Sequence, residues 1–430
     1  MTENISLSKS LQIREAMQQD LSGVFGTLFP YNIAPMDKSK RDRVYNQELT
    51  ALSMITMSVQ EDKSLQNSVY IFSEIHRRNL ERLSELKEKC ASNYKHKAKS
   101  QAIQKSKLSP ISTNTSAYSQ ARSRIEIDYI SLLFKKSSEL SKDMPDTYFN
   151  GRKCFLTDGT YLQLQDTAKI REKFNQSIKD KYPRGLLSVI INQGSGLIHD
   201  FTLDSDKKSE LDLLSAMIAN LPENSLLLAD DLYNCFAIFY LLIQKNIDII
   251  VPGKRVRKYN VVKRISEGDD IVEIISDEHK SKLKAAWDIT AKSIKLRRIA
   301  VKEPNYNKEI ILYTTILDES INKYEIFHKY FTRWDIEISI REIKSIMYLN
   351  IIRAQTPEMV DKELISGLIA YNYIRALIAK AVETTDFSPK DDIFQKYYQV
   401  YKKGYVDNLG REYSKHSPGR AGYCQRTFET

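Results

Sequence analysis

The sequence predicts a mixed α/β protein: a helical N-terminal region, a core in which strands alternate with helices, a β-rich stretch inserted in that core, and long helices after it. Three observations carry this. Apolar residues recur at helical spacing over roughly the first ninety positions. Short Leu-, Val- and Ile-rich runs alternate with helical patterns from about 150 to 250, and such runs follow one another without an intervening helix from about 253 to 315.

Taken in order, Ile5 to about Cys90 shows helical periodicity, as in Glu48-Leu49-Thr50-Ala51-Leu52-Ser53-Met54-Ile55. Between Ala91 and Ser116 the chain turns Ser-, Lys- and Asn-rich and holds Pro110, which predicts a solvated linker. A helix is expected from about Ala117 to Ser141. Lys153 to Thr157 and Thr160 to Leu164 read as two strands around a tight Asp158-Gly159 turn. Further strands are expected at Leu186–Ile191, at Leu226–Ala229 ending on Asp230, and at Ile247–Val251, with helices at about 210–220 and 233–244. The β-rich stretch holds the runs Asp270–Ile275, Ile294–Val301 and Ile310–Tyr313. Two long helices follow, one from about Asn322 to Tyr348 and one opened by Thr356 as N-cap with Pro357 in its first turn. This divides the chain into 1–115, 116–250, 251–320, 321–385 and a basic tail, 386–430.

The chain has 430 residues, 42% hydrophobic and 28% charged, enough for two or three globular domains. Its 65 Lys and Arg against 55 Asp and Glu leave a net charge of +10, which suits a polyanionic partner as well as it suits a Lys-biased surface. The four cysteines form no CxxC pair and the six histidines no zinc spacing, so neither a disulfide framework nor a zinc site is expected, and a reducing cytoplasm fits. No signal peptide, membrane span or Walker-type glycine loop is read, so neither a membrane nor a nucleotide cofactor is expected.

Three carboxylates stand where strands or helices could bring them together. Asp158 and Asp230 each close an apolar run, although a hairpin turn and a helix cap explain them equally well one at a time. At about 100° per residue, Tyr330, Arg333, Glu337, Arg341 and Lys344 fall on one polar stripe of a helix, apart from an apolar stripe of Ile336, Ile340, Ile343 and Met347. Surface ion pairs of Glu337 with Arg333 or Arg341 are the ordinary reading of that stripe. Three hard oxygen donors from separate elements are what a Mg²⁺ pair needs.

Taken together, these residues resemble the DDE transposases of bacterial insertion sequences, of the family-four type with the YREK signature. Tyr330, Arg333, Glu337 and Lys344 meet that signature at its spacing of two, three and six intervening residues. Such a match is expected by chance in on the order of a few per thousand chains of this length. Asp158-Gly159-Thr160 after Gly151-Arg152 is similar to the family's first block, Asp230-Asp231-Leu232-Tyr233 to its second, and Ser116–Arg122 to the segment leading into its catalytic domain. The chain departs from the family at Asp231-Leu232, where Arg-Gly is usual, so Asp231 stands as a rival ligand.

The resemblance implies an RNase H-like core interrupted by the β-rich insertion, and DNA cleavage with strand transfer by cut-and-paste through hairpinned ends. It implies two Mg²⁺ ions, replaceable by Mn²⁺, on Asp158, Asp230 and Glu337. Tyr330, Arg333, Arg341 and Lys344 would then hold DNA phosphates. Lys254, Arg255, Arg257 and Lys258 could follow a DNA backbone, which is favoured over a charged hairpin face, and Trp287 could stack on an extruded base or sit in a core. The expected partners are double-stranded DNA, as inverted-repeat ends and target, and a second copy of the chain on DNA, with a nucleoid-associated cytoplasmic location. An inactive, end-binding derivative and a plain metal nuclease are the competing readings.

Overall fold

The computed structural model describes residues 45, 47–60, 62–70, 73, 114–144, 146–174, 182–254, 258–276, 289–302 and 309–382. They fall into two compact units, one holding 138–361 and the other the described residues before 138 and after 361.

In the latter unit lie the helices α1 (Gln47–Ser58), α2 (Thr115–Arg124) and most of α3 (Ile127–Glu139). The single helix expected from Ala117 to Ser141 is broken at Ile125, which adopts an extended backbone, and Asn114 caps α2 by accepting from the Ser116 N–H. Met57, Val69 and Tyr118 form a small apolar cluster with Tyr45, Leu52 and Leu65 against it, and the Ser53 hydroxyl satisfies the buried Tyr118 phenol. Where the expected long helix lies in this unit, Lys362 donates its ammonium to the carbonyls of Arg122 and Ser123. Much of the expected helical region before 115, the linker and the tail lie outside the described residues.

The second unit is built on one mixed sheet. Its strands are β1 (Tyr148–Phe149), β2 (Arg152–Gln163), β3 (Arg184–Asn192), β4 (Ile198–Ser205), β5 (Ser225–Leu228), β6 (Asp248–Pro252), β7 (Asn260–Ser266), β8 (Asp269–Ile275), β9 (Ser293–Val301) and β10 (Ile310–Thr314). Their order is β4-β3-β2-β5-β6-β10-β9-β8-β7, with β1 paired to β2. The strands β2, β3 and β4 form an antiparallel meander, β5 and β6 run parallel beside β2, and β10 onward is antiparallel. The strands of the β-rich stretch therefore hydrogen-bond into the central sheet and lengthen it.

The expected turn at Asp158-Gly159 is corrected. β2 runs straight through it, held by an unbroken ladder from Phe155 opposite Asn192 to Gln163 opposite Arg184. The tight turn is at Asn150-Gly151, both with positive φ, joining β1 to β2. Asn-Gly suits the twist of a two-residue hairpin, and nine cross-strand pairs outweigh the local turn preference of Asp-Gly. β4 was not expected: its side chains are mostly half-buried and include His199, Asp200 and Asp204, which blurs the alternation.

Helices α4 (Ala168–Phe174), α5 (Glu210–Met217), α6 (Phe236–Gln244), α7 (Lys323–Phe331), α8 (Asp335–Arg341) and α9 (Pro357–Val382) complete the described elements longer than one turn. The helix expected over 322–348 is segmented. A 3₁₀ turn at Thr332–Trp334 and a π-helical turn at Glu342–Ile346 flank α8. It ends at Tyr348 in the left-handed region, with the Leu349 N–H bonding back to the Ile343 carbonyl. The core of this unit joins Phe155, Leu227 and Ala229 to Leu214 and Met217 of α5, Ile238 and Phe239 of α6, and Val272 and Leu296 of the β8–β9 hairpin.

Candidate active site

β2 pairs with β5 only from Lys153 opposite Ser225 to Leu156 opposite Leu228, and then continues alone on that side. Residues paired across a sheet share a face, and alternate residues along a strand do too. Leu156 and Leu228 therefore place Asp158 and Asp230, each two residues further on, on one face at the point where the two parallel strands part. Crevices at the carboxyl ends of parallel strands are where α/β sheets hold ligands.

Each aspartate is anchored by its own backbone. Asp158 Oδ1 accepts the Gly159 N–H at 2.8 Å, and Asp230 Oδ1 accepts the Leu232 N–H at 2.8 Å, so Asp230 does cap the 3₁₀ turn Asp231–Tyr233. Asp231 Oδ1 accepts the Lys254 N–H at 3.0 Å.

The segment holding Tyr330, Arg333, Glu337 and Lys344 meets this face of β2 through Lys344. α8 packs on this strand, and Lys344 donates to Thr160 Oγ1 at 3.0 Å, two residues beyond Asp158 on the same face. Gln163 exchanges backbone hydrogen bonds with Asn350 and Ile352, which ties the chain after the π turn to the end of β2. Arg333 bonds Glu337 at 3.1 Å and is 12% exposed against 50% for the carboxylate. Its guanidinium also holds the Tyr330 phenol and draws on Asp158, while its buried Nε has no protein acceptor. Tyr330 is buried near Asp230 and Asp231. Arg341 is exposed.

Burial, then the neighbouring charges of Glu210 and Asp230, pushes the Asp158 carboxyl up to about 6, against the opposing pull of the Gly159 N–H and Arg333. The residue that sequence reasoning missed is Glu210, the first residue of α5. Its carboxyl is raised by burial and by Asp230, and Tyr233 Oη donates to its Oε2 at 3.1 Å. Ser209 and Asp212 form a capping box around this helix start, so in sequence Glu210 looks like any acid in a first helical turn.

Asp158, Asp230 and Glu210 thus repel one another, while Glu337 is neutralised by Arg333. Among the described residues no three Asp, Glu, His or Cys side chains are drawn close enough to enclose a metal ion. Carboxylate oxygens are nonetheless the donor type that a hard divalent ion takes.

Of the basic cluster, Lys254 and Lys258 are exposed, whereas Arg255, Arg257 and Trp287 lie outside the described residues. Nearby on the β7–β8 hairpin, Lys263 pairs with Glu319 and Arg264 with Asp270. No helix among the described residues is long and apolar enough to cross a membrane.

The family model for the transposase DDE domain matches residues 150–373, which take in strands β2 to β10 and this site. The chain belongs to the DDE transposase family. As the resemblance implied, its relatives are transposases of bacterial insertion sequences. The chain is 24% identical over 278 residues to the transposase InsG for insertion sequence element IS4 of Escherichia coli (strain K12), covering 62% of each. It is 28% identical over 138 residues to the putative transposase InsZ of the same strain, covering 30% of this chain and 46% of that protein. The chain thus spans less than two thirds of these relatives' length. Among solved structures it matches a piggyBac transposase synaptic complex with hairpin DNA at 10% identity and a TM-score of 0.41, over 93% of this chain and 80% of that one. The match covers residues 150–361 of one unit and 362–373 of the other.

Proposed function

We propose that this chain cuts double-stranded DNA at the inverted-repeat ends of an insertion sequence and joins the freed ends to target DNA by cut-and-paste. The carrying observation is the placement of Asp158 and Asp230 on one face where β2 and β5 part, with the Tyr330–Lys344 segment across it. The meander β2-β3-β4 with parallel β5 and β6 beside it supports reading the core as RNase H-like.

Asp158, Asp230 and Glu337 are the residues we assign to hold two Mg²⁺ ions, or Mn²⁺ in their place. Bound there, the metals supply activation of the attacking oxygen and stabilisation of the leaving oxygen at phosphorus. The protein's own part is to hold the scissile phosphate. Arg333 offers a buried Nε–H without a protein acceptor, and Lys344 an ammonium beside Thr160. Tyr330 and Arg341 flank them, and the exposed Lys254 and Lys258 extend the basic surface along the duplex. For DNA to sit here, Arg333 exchanges part of its hold on Glu337 for phosphate, which frees the carboxylate. Asp231, committed to the Lys254 backbone, is not assigned as a ligand. Two chains on paired ends, through hairpinned intermediates, complete the proposal.

The test is cleavage of DNA carrying the element's own ends with Mg²⁺ or Mn²⁺. Wild type and Asp231→Ala should cut, while Asp158→Ala, Asp230→Ala and Glu337→Ala should bind the ends without cutting. Wild type that binds the ends and never cuts would make the chain an end-binding protein instead, and cutting without joined product would make it a plain nuclease.

A further inference from the structure

We infer that Gln193 is a positioning residue for this site: its side-chain amide clamps the break between α7 and the 3₁₀ turn Thr332–Trp334, and so fixes the setting of Arg333. The inference rests on the reading of Arg333 as a phosphate-holding residue.

Gln193 follows β3, and its N–H donates to the Cys154 carbonyl at 3.0 Å, one step beyond Phe155 opposite Asn192. Opposed residues share a face, so Gln193 lies on that of Cys154, Leu156, Asp158 and Thr160. The chain from α7 to the π turn is thus tied to one face of the β2–β3 pair at two places, by Gln193 on Thr332 and by Lys344 on Thr160. Along β2, Asp158 falls between those two ties.

The Gln193 side chain is 2% exposed and both ends of its amide are engaged. Its Oε1 accepts from Lys329 Nζ at 2.6 Å, and its Nε2 donates to Thr332 Oγ1 at 2.6 Å and to the Thr332 carbonyl at 3.4 Å. Thr332 Oγ1 in turn donates to the Lys329 carbonyl at 2.7 Å, which closes a ring of bonds around the break. An ammonium only donates, so the amide can stand only this way round. Lys329 is buried too, and an acceptor alone would satisfy its ammonium. The donor half of the amide does something further. It grips Thr332, which is at once the C-cap of α7 and the first residue of the 3₁₀ turn. Arg333 is the next residue. Passing from 3.6 to 3.0 residues per turn rotates each later side chain by about 20° per residue. The direction in which Arg333 leaves the backbone is therefore set at Thr332, where Gln193 holds it.

Trp287 and Trp334 are the two tryptophans of the chain, and Trp334, 62% exposed, ends the 3₁₀ turn. In a Trp287→Phe background its fluorescence anisotropy reports on that turn alone. Thr332→Val removes the hydroxyl and keeps the shape. Gln193→Leu combined with Lys329→Met removes the clamp without stranding the ammonium. Both should lower Trp334 anisotropy. With Trp287 intact, both should slow single-turnover cleavage of the ends about tenfold, with end affinity and melting temperature close to wild type. Thr332→Ser, which keeps the hydroxyl, should match wild type throughout. Variants that cut at the wild-type rate, or that hold Trp334 as firmly, overturn the inference and leave Gln193 as a partner for Lys329 only. If wild type itself does not cut, the function proposed above fails, and Trp334 anisotropy decides whether Gln193 fixes the turn.

Discussion

Replacing Asp158 by Asn should stabilise the metal-free protein, and the structure supplies the amount. The carboxyl lies at about 6 in the folded chain against an ordinary 3.8. Below pH 3.8 it carries its proton folded or unfolded. As pH rises the unfolded chain releases the proton first, so stability falls until pH passes 6 and the full penalty stands. At ~1.36 kcal/mol per pH unit the gap amounts to about 3 kcal/mol. Asparagine keeps the shape and cannot ionise, so it removes that penalty. In a folded unit of this size the gain corresponds to roughly 6–12 °C of melting temperature. The assay is urea and thermal unfolding of wild type and Asp158→Asn in EDTA at pH 7.5, 6 and 4.5. The variant should lead by most of that margin at pH 7.5 and by much less at pH 4.5. Saturating Mn²⁺ should reverse the order, because only wild type gains from the ion. A variant less stable than wild type at pH 7.5, or a gain that does not change with pH, would refute the argument.

Two further outcomes follow from the packing. Gly159→Ala should cost about 1–3 kcal/mol by overpacking against Glu210, and less than about 0.5 kcal/mol in a Glu210→Ala background; equal costs in a double-mutant cycle of urea midpoints would show that the contact is not the cause. Arg297 and Asp269, 1% and 3% exposed, form a two-bond pair on β9 and β8, and Arg297 also donates to the Asp318 and Ile321 carbonyls. Arg297→Met should therefore cost about 3–5 kcal/mol by leaving a buried carboxylate unpaired, and adding Asp269→Leu should recover part of it.

Elements whose signal is local are legible in the order of residues alone. The apolar runs of β3, β5, β6, β8, β9 and β10 read as strands, and Thr356-Pro357 as the opening of a helix. The spacing of Tyr330, Arg333, Glu337 and Lys344 points to the family without any contact, because a motif is a property of order along the chain. Tertiary structure decided whatever depended on partners distant in sequence. Asp158-Gly159 has the composition of a turn, but its pairing with Val189 and Ser188 made it the middle of a strand. The 322–348 pattern predicted one helix, yet its tie through Asn350 and Ile352 to Gln163 accompanies a segmented course that sets Lys344 on Thr160. Glu210 was illegible for the same reason. An acid in a first helical turn is commonplace, and only the sheet, by bringing α5 over Gly159, places this one beside Asp158 and Asp230. Charge repulsion depends on distance through space, which the order of residues does not state.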